Sequence, residues 1–98
     1  RMKREDFVFT VGYDGDTAII DRKARKRYFK YSTAQLAEAS LYRAAFCSAV
    51  FSGDNKELQM VLEAYNQGEG TAYTGPDDLK RLFGVYQVRT DIQKTKAL

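Results

Sequence analysis

The chain has 98 residues, with one cysteine, no histidine, no tryptophan and one proline. Without histidine, nucleophiles that rely on an imidazole base are excluded, and one cysteine cannot build a zinc site. A lone cysteine also forbids an intrachain disulfide, which is typical of a reducing, cytoplasmic setting. Apolar residues at 44% favour one small folded domain over residues 1–98. No stretch approaches the roughly 20 apolar residues of a membrane span, so we expect no membrane partner.

Charge falls into three blocks along the chain, although the net charge is only +3. Residues 1–30 carry nine basic and five acidic side chains, and residues 79–98 carry five basic and one acidic. The middle block, residues 31–78, carries two basic and seven acidic side chains. Such a basic–acidic–basic order suits internal pairing, self-association or a polyanion partner.

The first third of the chain predicts an antiparallel meander over about residues 7–31. Aromatic and β-branched residues dominate residues 7–13, and Asp14-Gly15 is typical of a two-residue type I′ hairpin turn. Residues 16–22 return, so that Phe9 would pair with Ile20. Residues 27–31 interleave aromatics with cations and are predicted as a third strand. At the least, this region forms a hairpin.

The hydrophobic period then changes from two to 3.6, which predicts helices. Ser32 and Gln35 match a capping box, and Gly53 stands where the helix that follows would end. Residues 54–57 resemble a second capping box and precede another apolar stripe. Pro76, followed by two aspartates, is typical of the start of a third helix. The predicted helices cover about residues 33–52, 55–67 and 76–84. Residues 32–41 also resemble the opening of a helix-turn-helix, but the apolar continuation favours one long core helix.

The fold class predicted from these elements is α+β: a three-stranded antiparallel meander, or at least a hairpin, packed on two or three helices. The tail, residues 85–98, has two readings. Alternation of Tyr86, Val88, Thr90 and Ile92 is typical of a C-terminal edge strand, whereas residues 94–98 read as a fraying end.

Residues 41–51 are apolar nearly all round the predicted helix, which suggests that it lies at the centre of the domain or of an oligomer. Cys47 belongs to this stretch and is expected to be a buried, inert thiol. Because a small monomer has limited means to cover such a helix, we expect a non-enzymatic domain acting through protein–protein contact or self-association.

The alternative function is nucleic-acid binding through residues 22–30, which contain six cations in nine positions. Lysine and arginine neutralise phosphates, and an adjacent aromatic ring can stack on an unpaired base. Cations on an exposed strand also prevent sheet-to-sheet pairing, so edge protection explains the same pattern. The candidate polyanion-binding residues are Arg22, Lys23, Arg25, Lys26, Arg27, Tyr28 and Lys30.

A third reading concerns residues 13–17, where Asp14 and Asp16 follow an apolar strand. This string resembles the first motif of haloacid-dehalogenase-type phosphotransferases, which implies Asp14 as nucleophile, Asp16 as proton shuttle and Mg²⁺ as cofactor. Against it stand the short chain, the returning strand, and the need for Asp-Gly in a hairpin turn. We therefore expect no catalytic residue, cofactor or metal.

Overall fold

The computed structural model describes all of residues 1–98 and has an α+β fold with six helices and three strands. The predicted class is confirmed, but the helices are more numerous than the predicted two or three. In chain order the elements are α1 (Arg4–Val8), β1 (Thr10–Asp14), β2 (Thr17–Ile20), α2 (Arg22–Tyr28), α3 (Thr33–Glu38), α4 (Tyr42–Ser52), α5 (Asn55–Glu69), α6 (Pro76–Phe83) and β3 (Lys94–Ala97).

The three strands form one mixed sheet in the order β1-β2-β3. β1 and β2 make the predicted antiparallel hairpin, whereas β3 runs parallel to β2, with Thr17 opposite Lys94. The predicted antiparallel meander is therefore wrong, because the third strand comes from the C-terminal segment. Ala18 and Ile20 alternate along the central strand β2 and are fully buried, which fixes the face that meets the core.

The hairpin turn lies one residue later than predicted. Gly15 and Asp16 form the loop, since Asp14 pairs with Thr17. Gly15 has φ of 59° and is the one loop residue with positive φ, as a type II′ turn requires. The predicted type I′ turn with Asp14 at its first centre is thus wrong. A bulge between Thr10 and Gly12 then shifts the pairing along the strands.

Two segments predicted as strands are helical. Residues 7 and 8 belong to α1, and both side chains are buried. Residues 22–28 form α2, where a third strand starting at 27 was predicted. Asp21 caps α2 by accepting a hydrogen bond from the Ala24 N–H, and arginine, lysine and alanine are good helix formers. Ala24 and Tyr28, one turn apart, pack against the core, so the helical period describes this segment.

The predicted helix over residues 33–52 is two helices, α3 and α4. Its capping box is confirmed: Ser32 accepts from the Gln35 N–H, and the Gln35 side chain accepts from the Ser32 N–H. Ser40 breaks the helix with a left-handed φ of 61°. The Leu41 N–H bonds to the Leu36 carbonyl at 2.9 Å and the Ser40 N–H to that of Ala37 at 3.0 Å, which is a Schellman ending.

The two later helices match the prediction closely. α5 continues past the predicted end at Gly68 and stops at Gly70, which has φ of 68°. Gly68 has a different role, since a Cβ there would lie 1.9 Å from the Tyr42 hydroxyl oxygen. α6 begins with Pro76, carries two aspartates in its first turn and ends at Gly84, as predicted.

The core is centred on α4, which contacts α1, α3 and α5. Its residues 45–49 are all buried, so the chain covers by itself the apolar surface that suggested an oligomer. Cys47 is 1% exposed, and burial raises the pKa of its thiol to about 11. That thiol is therefore protonated at neutral pH. None of the helices has the length and apolar character needed to cross a membrane.

Candidate polyanion-binding surface

The outer face of α2 carries a stripe of cations. Lys23, Lys26 and Arg27 lie at i, i+3 and i+4 on one face of α2, and Lys30 follows in the turn just after the helix ends. All four are exposed. We call these four residues the α2 stripe. Arg22 is also exposed, and its guanidinium donates to the Ala97 carbonyl of β3 at 3.4 Å. The sequence predicted these residues as binding residues but placed them on a hairpin, in a turn and the strand after it, and not on a helix.

No residue of the α2 stripe forms a salt bridge. The ion pairs of the chain are Arg25–Asp6, Lys80–Asp77, Arg81–Asp78 and Arg89–Asp91. The one acidic residue next to α2 in sequence, Asp21, is engaged as the helix cap. The stripe's positive charge is therefore available to an external anion.

Two of the predicted residues face inward and have structural roles. Arg25 is half-buried and pairs with Asp6 at 2.6 Å, which ties α2 to α1. Tyr28 is partly buried against the core and packs edge-on against Tyr31, with ring centroids 5.1 Å apart. The ring of Phe29, beside the stripe, is 42% exposed and is therefore accessible to solvent.

The stripe opposes the folding of its own helix. Lys23 lies one turn from both Lys26 and Arg27, and Arg22 lies one turn from Lys26. Each like-charge pair at this spacing destabilises a helix by about 0.2–0.5 kcal/mol. The helix dipole stabilises the cations in the last turn and offsets part of this repulsion. Arg22 and Lys23 lie at the N-terminal end, where the dipole disfavours positive charge. A bound polyanion would relieve this repulsion.

Three further cations, which the sequence did not predict as binding residues, extend the surface. Lys3 lines a groove of about 360 Å³ with Lys26, beside Glu5 and the Asp6 that pairs with Arg25, and also lines a second recess with Lys94. Lys94 and Lys96 are exposed and share one face of β3. The basic blocks at both ends of the sequence were the one feature that could have predicted these three cations. We call the α2 stripe together with Arg22, Lys3, Lys94 and Lys96 the basic face.

The two aspartates of the phosphotransferase-like string lie at the hairpin turn. Asp14 is the last residue of β1, and Asp16 is in the loop, where its carboxylate accepts from the Thr17 hydroxyl at 3.4 Å. Both are exposed. The turn joins two antiparallel strands, and no group of three or more cysteine, aspartate or glutamate side chains is placed to hold a metal ion.

The largest cavity, about 540 Å³, holds a polar network that anchors the end of α2. The Arg4 guanidinium donates to the carbonyls of Phe29 at 3.3 Å and Tyr31 at 2.7 Å, and to the Ser48 hydroxyl at 2.8 Å. Ser48 shares a 2.7 Å hydrogen bond with Thr33, whose hydroxyl also bonds to a carboxylate of α5. The network fixes the stripe relative to the core.

No family model matches the chain, and neither a curated protein nor a solved structure was found to be similar to it.

Proposed function

We propose that this domain binds nucleic acid through the basic face, with the α2 stripe contacting the sugar–phosphate backbone. The observation that carries the proposal is that four exposed cations, three on one face of α2 and Lys30 in the turn after it, have no carboxylate partner. Lysine and arginine gain affinity for phosphates by releasing the counterions condensed on the nucleic acid.

Recognition by shape and charge, rather than by base sequence, fits this surface. The side chains of the stripe are cations, which contact phosphates, and no asparagine or glutamine stands among them to pair with adenine edges. Phe29 adjoins the stripe and could stack on an unpaired base, which would add about 1–3 kcal/mol for single-stranded ligands. We therefore expect single strands to bind more tightly than duplexes.

The test is fluorescence anisotropy with labelled single-stranded DNA, duplex DNA and RNA over a range of salt concentrations. We expect Lys23→Ala/Lys26→Ala/Arg27→Ala to lose at least about tenfold in affinity at physiological salt. The slope of log affinity against log salt should also fall by about 2–3, because about three phosphate contacts are lost. Arg25 is left intact because it pairs with Asp6 and holds α2 in place.

A charge-matched variant is the control. Lys56→Ala/Lys80→Ala/Arg81→Ala also removes three positive charges, from α5 and α6, so both triple variants have a net charge of zero instead of +3. This control should bind nearly as well as the wild type. Equal weakening of the two variants would mean that total charge alone drives binding, and absence of binding by the wild type at low salt would end the proposal.

Self-association is a second candidate function, and the free edge of β1 favours it. β1 and β3 are the outer strands of the sheet. The β3 edge carries Lys94 and Lys96, which discourage pairing, whereas β1 presents Val11 at 54% exposure and Tyr13 at 39%. An edge of this kind can pair antiparallel with its own copy about a twofold axis.

Analytical ultracentrifugation distinguishes this candidate. If β1 pairs with its copy, the wild type should sediment as a dimer at high micromolar concentration, and Val11→Lys should sediment as a monomer. Thr95→Lys places the same charge on the opposite outer strand and should leave the dimer intact. A wild type that stays monomeric over the whole concentration range contradicts the candidate.

A further inference from the structure

A cleft of about 300 Å³ lies between the hairpin, α4 and the segment after α6, and no residue of the basic face lines it. It is the most enclosed cavity of the molecule. Phe7, Val85 and Tyr86 give it apolar walls, and Cys47 also lines it. None of its ten lining residues is acidic, and two of them are arginines.

The two arginines differ in how their charge is used. Arg89 is neutralised by Asp91, with nitrogen–oxygen distances of 2.6 and 2.9 Å, and it also donates to the Gly15 carbonyl. Arg43 has no carboxylate within 4.0 Å, and its one hydrogen bond goes to the Thr10 carbonyl at 2.6 Å. Because a guanidinium has five N–H donors, most of those on Arg43 remain free.

The other polar side chains that line the cleft, those of Thr10, Tyr13, Cys47 and Gln87, are uncharged. Burial raises the pKa of the Tyr13 hydroxyl, while the positive charges of Arg89 and Arg43 act in the opposite direction. Burial likewise keeps the Cys47 thiol protonated. The cleft therefore combines apolar walls, a neutral hydroxyl and thiol, and one guanidinium without a counterion, an arrangement typical of pockets for small amphipathic ligands.

We propose that this cleft binds a small organic monocarboxylate with an aromatic body, the carboxylate pairing with Arg43 and the ring lying between Val85 and Tyr86. A carboxylate fits the planar fork of a guanidinium through two parallel hydrogen bonds. A single unpaired cation matches a monoanion better than a doubly charged phosphate. The volume corresponds to about ten water molecules at ~30 Å³ each, which suits a ligand of about that many non-hydrogen atoms.

The test uses 3-phenylpropionate as the probe, titrated into isotopically labelled protein and followed by amide NMR shifts. We expect saturable shifts confined to residue 7 and residues 10–13, 43–47 and 84–89, which surround the cleft. The uncharged isostere 3-phenylpropanamide should bind at least about tenfold more weakly, because it lacks the charge-assisted pair with Arg43. Equal binding of the two probes, or shifts centred on α2, would overturn the proposal.

Two variants test the assignment of residues. Arg43→Gln keeps an N–H donor for the Thr10 carbonyl but removes the charge, and should weaken binding at least about tenfold. Tyr86→Ala removes one wall and should weaken it severalfold; this side chain is 60% exposed, so the fold does not depend on it. If Arg43→Gln does not fold, Tyr86→Ala decides the matter, and wild-type affinity in that variant overturns the proposal.

A third variant separates this proposal from nucleic-acid binding. Lys23→Ala/Lys26→Ala/Arg27→Ala alters the α2 stripe and none of the residues that line the cleft. It should bind 3-phenylpropionate like the wild type. Loss of the probe in this variant would place the binding on the basic face and not in the cleft.

Discussion

Replacement of Phe46 by alanine is expected to lower the free energy of unfolding by about 3–5 kcal/mol. Phe46 is fully buried in α4, and its ring lies 5.7 Å from that of Phe83 in α6. Phe83 in turn meets Tyr65 of α5 edge-on at 5.7 Å. The substitution would leave a cavity where three helices converge. A domain of this length has a total stability of about 5–15 kcal/mol, so the variant should be close to unfolding.

Urea unfolding followed by far-ultraviolet circular dichroism measures this effect. Phe29→Ala is the matched control, because it deletes the same atoms from a ring that is 42% exposed. The control should lose less than about 1 kcal/mol. If both variants shifted the unfolding midpoint equally, the packing of α4 against α5 and α6 would not be the main source of stability.

Replacement of Arg4 by methionine is expected to cost about 2–3 kcal/mol. Methionine keeps much of the apolar stem but donates no hydrogen bond, so the carbonyls of Phe29 and Tyr31 and the Ser48 hydroxyl each lose a charged donor. Hydrogen bonds from a charged group contribute about 1.5–3 kcal/mol, and these three share one side chain, so their effects do not add.

Lys3→Met is the control for this variant. Lys3 is the adjacent residue, carries the same charge and is exposed, so its replacement should change the free energy of unfolding by less than about 0.5 kcal/mol. The same denaturation experiment serves for both. Equal stability of the two variants would show that Arg4 acts through its charge alone and not through the network that it anchors.

Local side-chain chemistry made several elements predictable from the sequence. Ser32, Asp54 and Pro76 mark helix starts, because a cap or a ring at these positions acts on the neighbouring backbone. Gly53 and Gly84 mark helix ends, since each adopts a left-handed conformation that other residues avoid. These signals do not depend on distant contacts, so the predicted bounds of α5 and α6 lie close to the observed ones.

The break between α3 and α4 was not predictable in this way. Ser40 takes the left-handed conformation that usually marks a glycine, at a cost of about 1–2 kcal/mol. That cost is offset by tertiary packing, since α3 contacts both α4 and α5. The helix-turn-helix resemblance of residues 32–41 was set aside for one long helix, and that prediction of an unbroken helix is wrong. However, residues 45–49 of α4 are buried, so the second helix has no exposed face to enter a groove.

The basic face illustrates the same division between local and distant information. The cations of the α2 stripe were predicted from their density in the sequence. Their geometry depends on whether the segment around Tyr28 is a strand or a helix, and the periodicity of a short aromatic segment does not distinguish the two. Lys3 and Lys94 join the surface only through the fold, because α1 lies beside α2 and β3 pairs with β2. No spacing rule relates residues so far apart in sequence.

The parallel pairing of β3 with β2 also bears on the order in which the molecule folds. The hairpin and each helix form from residues that are near in sequence, whereas β2 pairs with β3 only when Lys94 comes opposite the distant Thr17. Closing a loop of that length is entropically costly, so the third strand is expected to join late. Until it does, β2 exposes the bare backbone edge of an apolar strand, a template for aggregation. Docking of β3 replaces that edge with one bearing two lysines, so a late folding step also protects the sheet from unwanted partners.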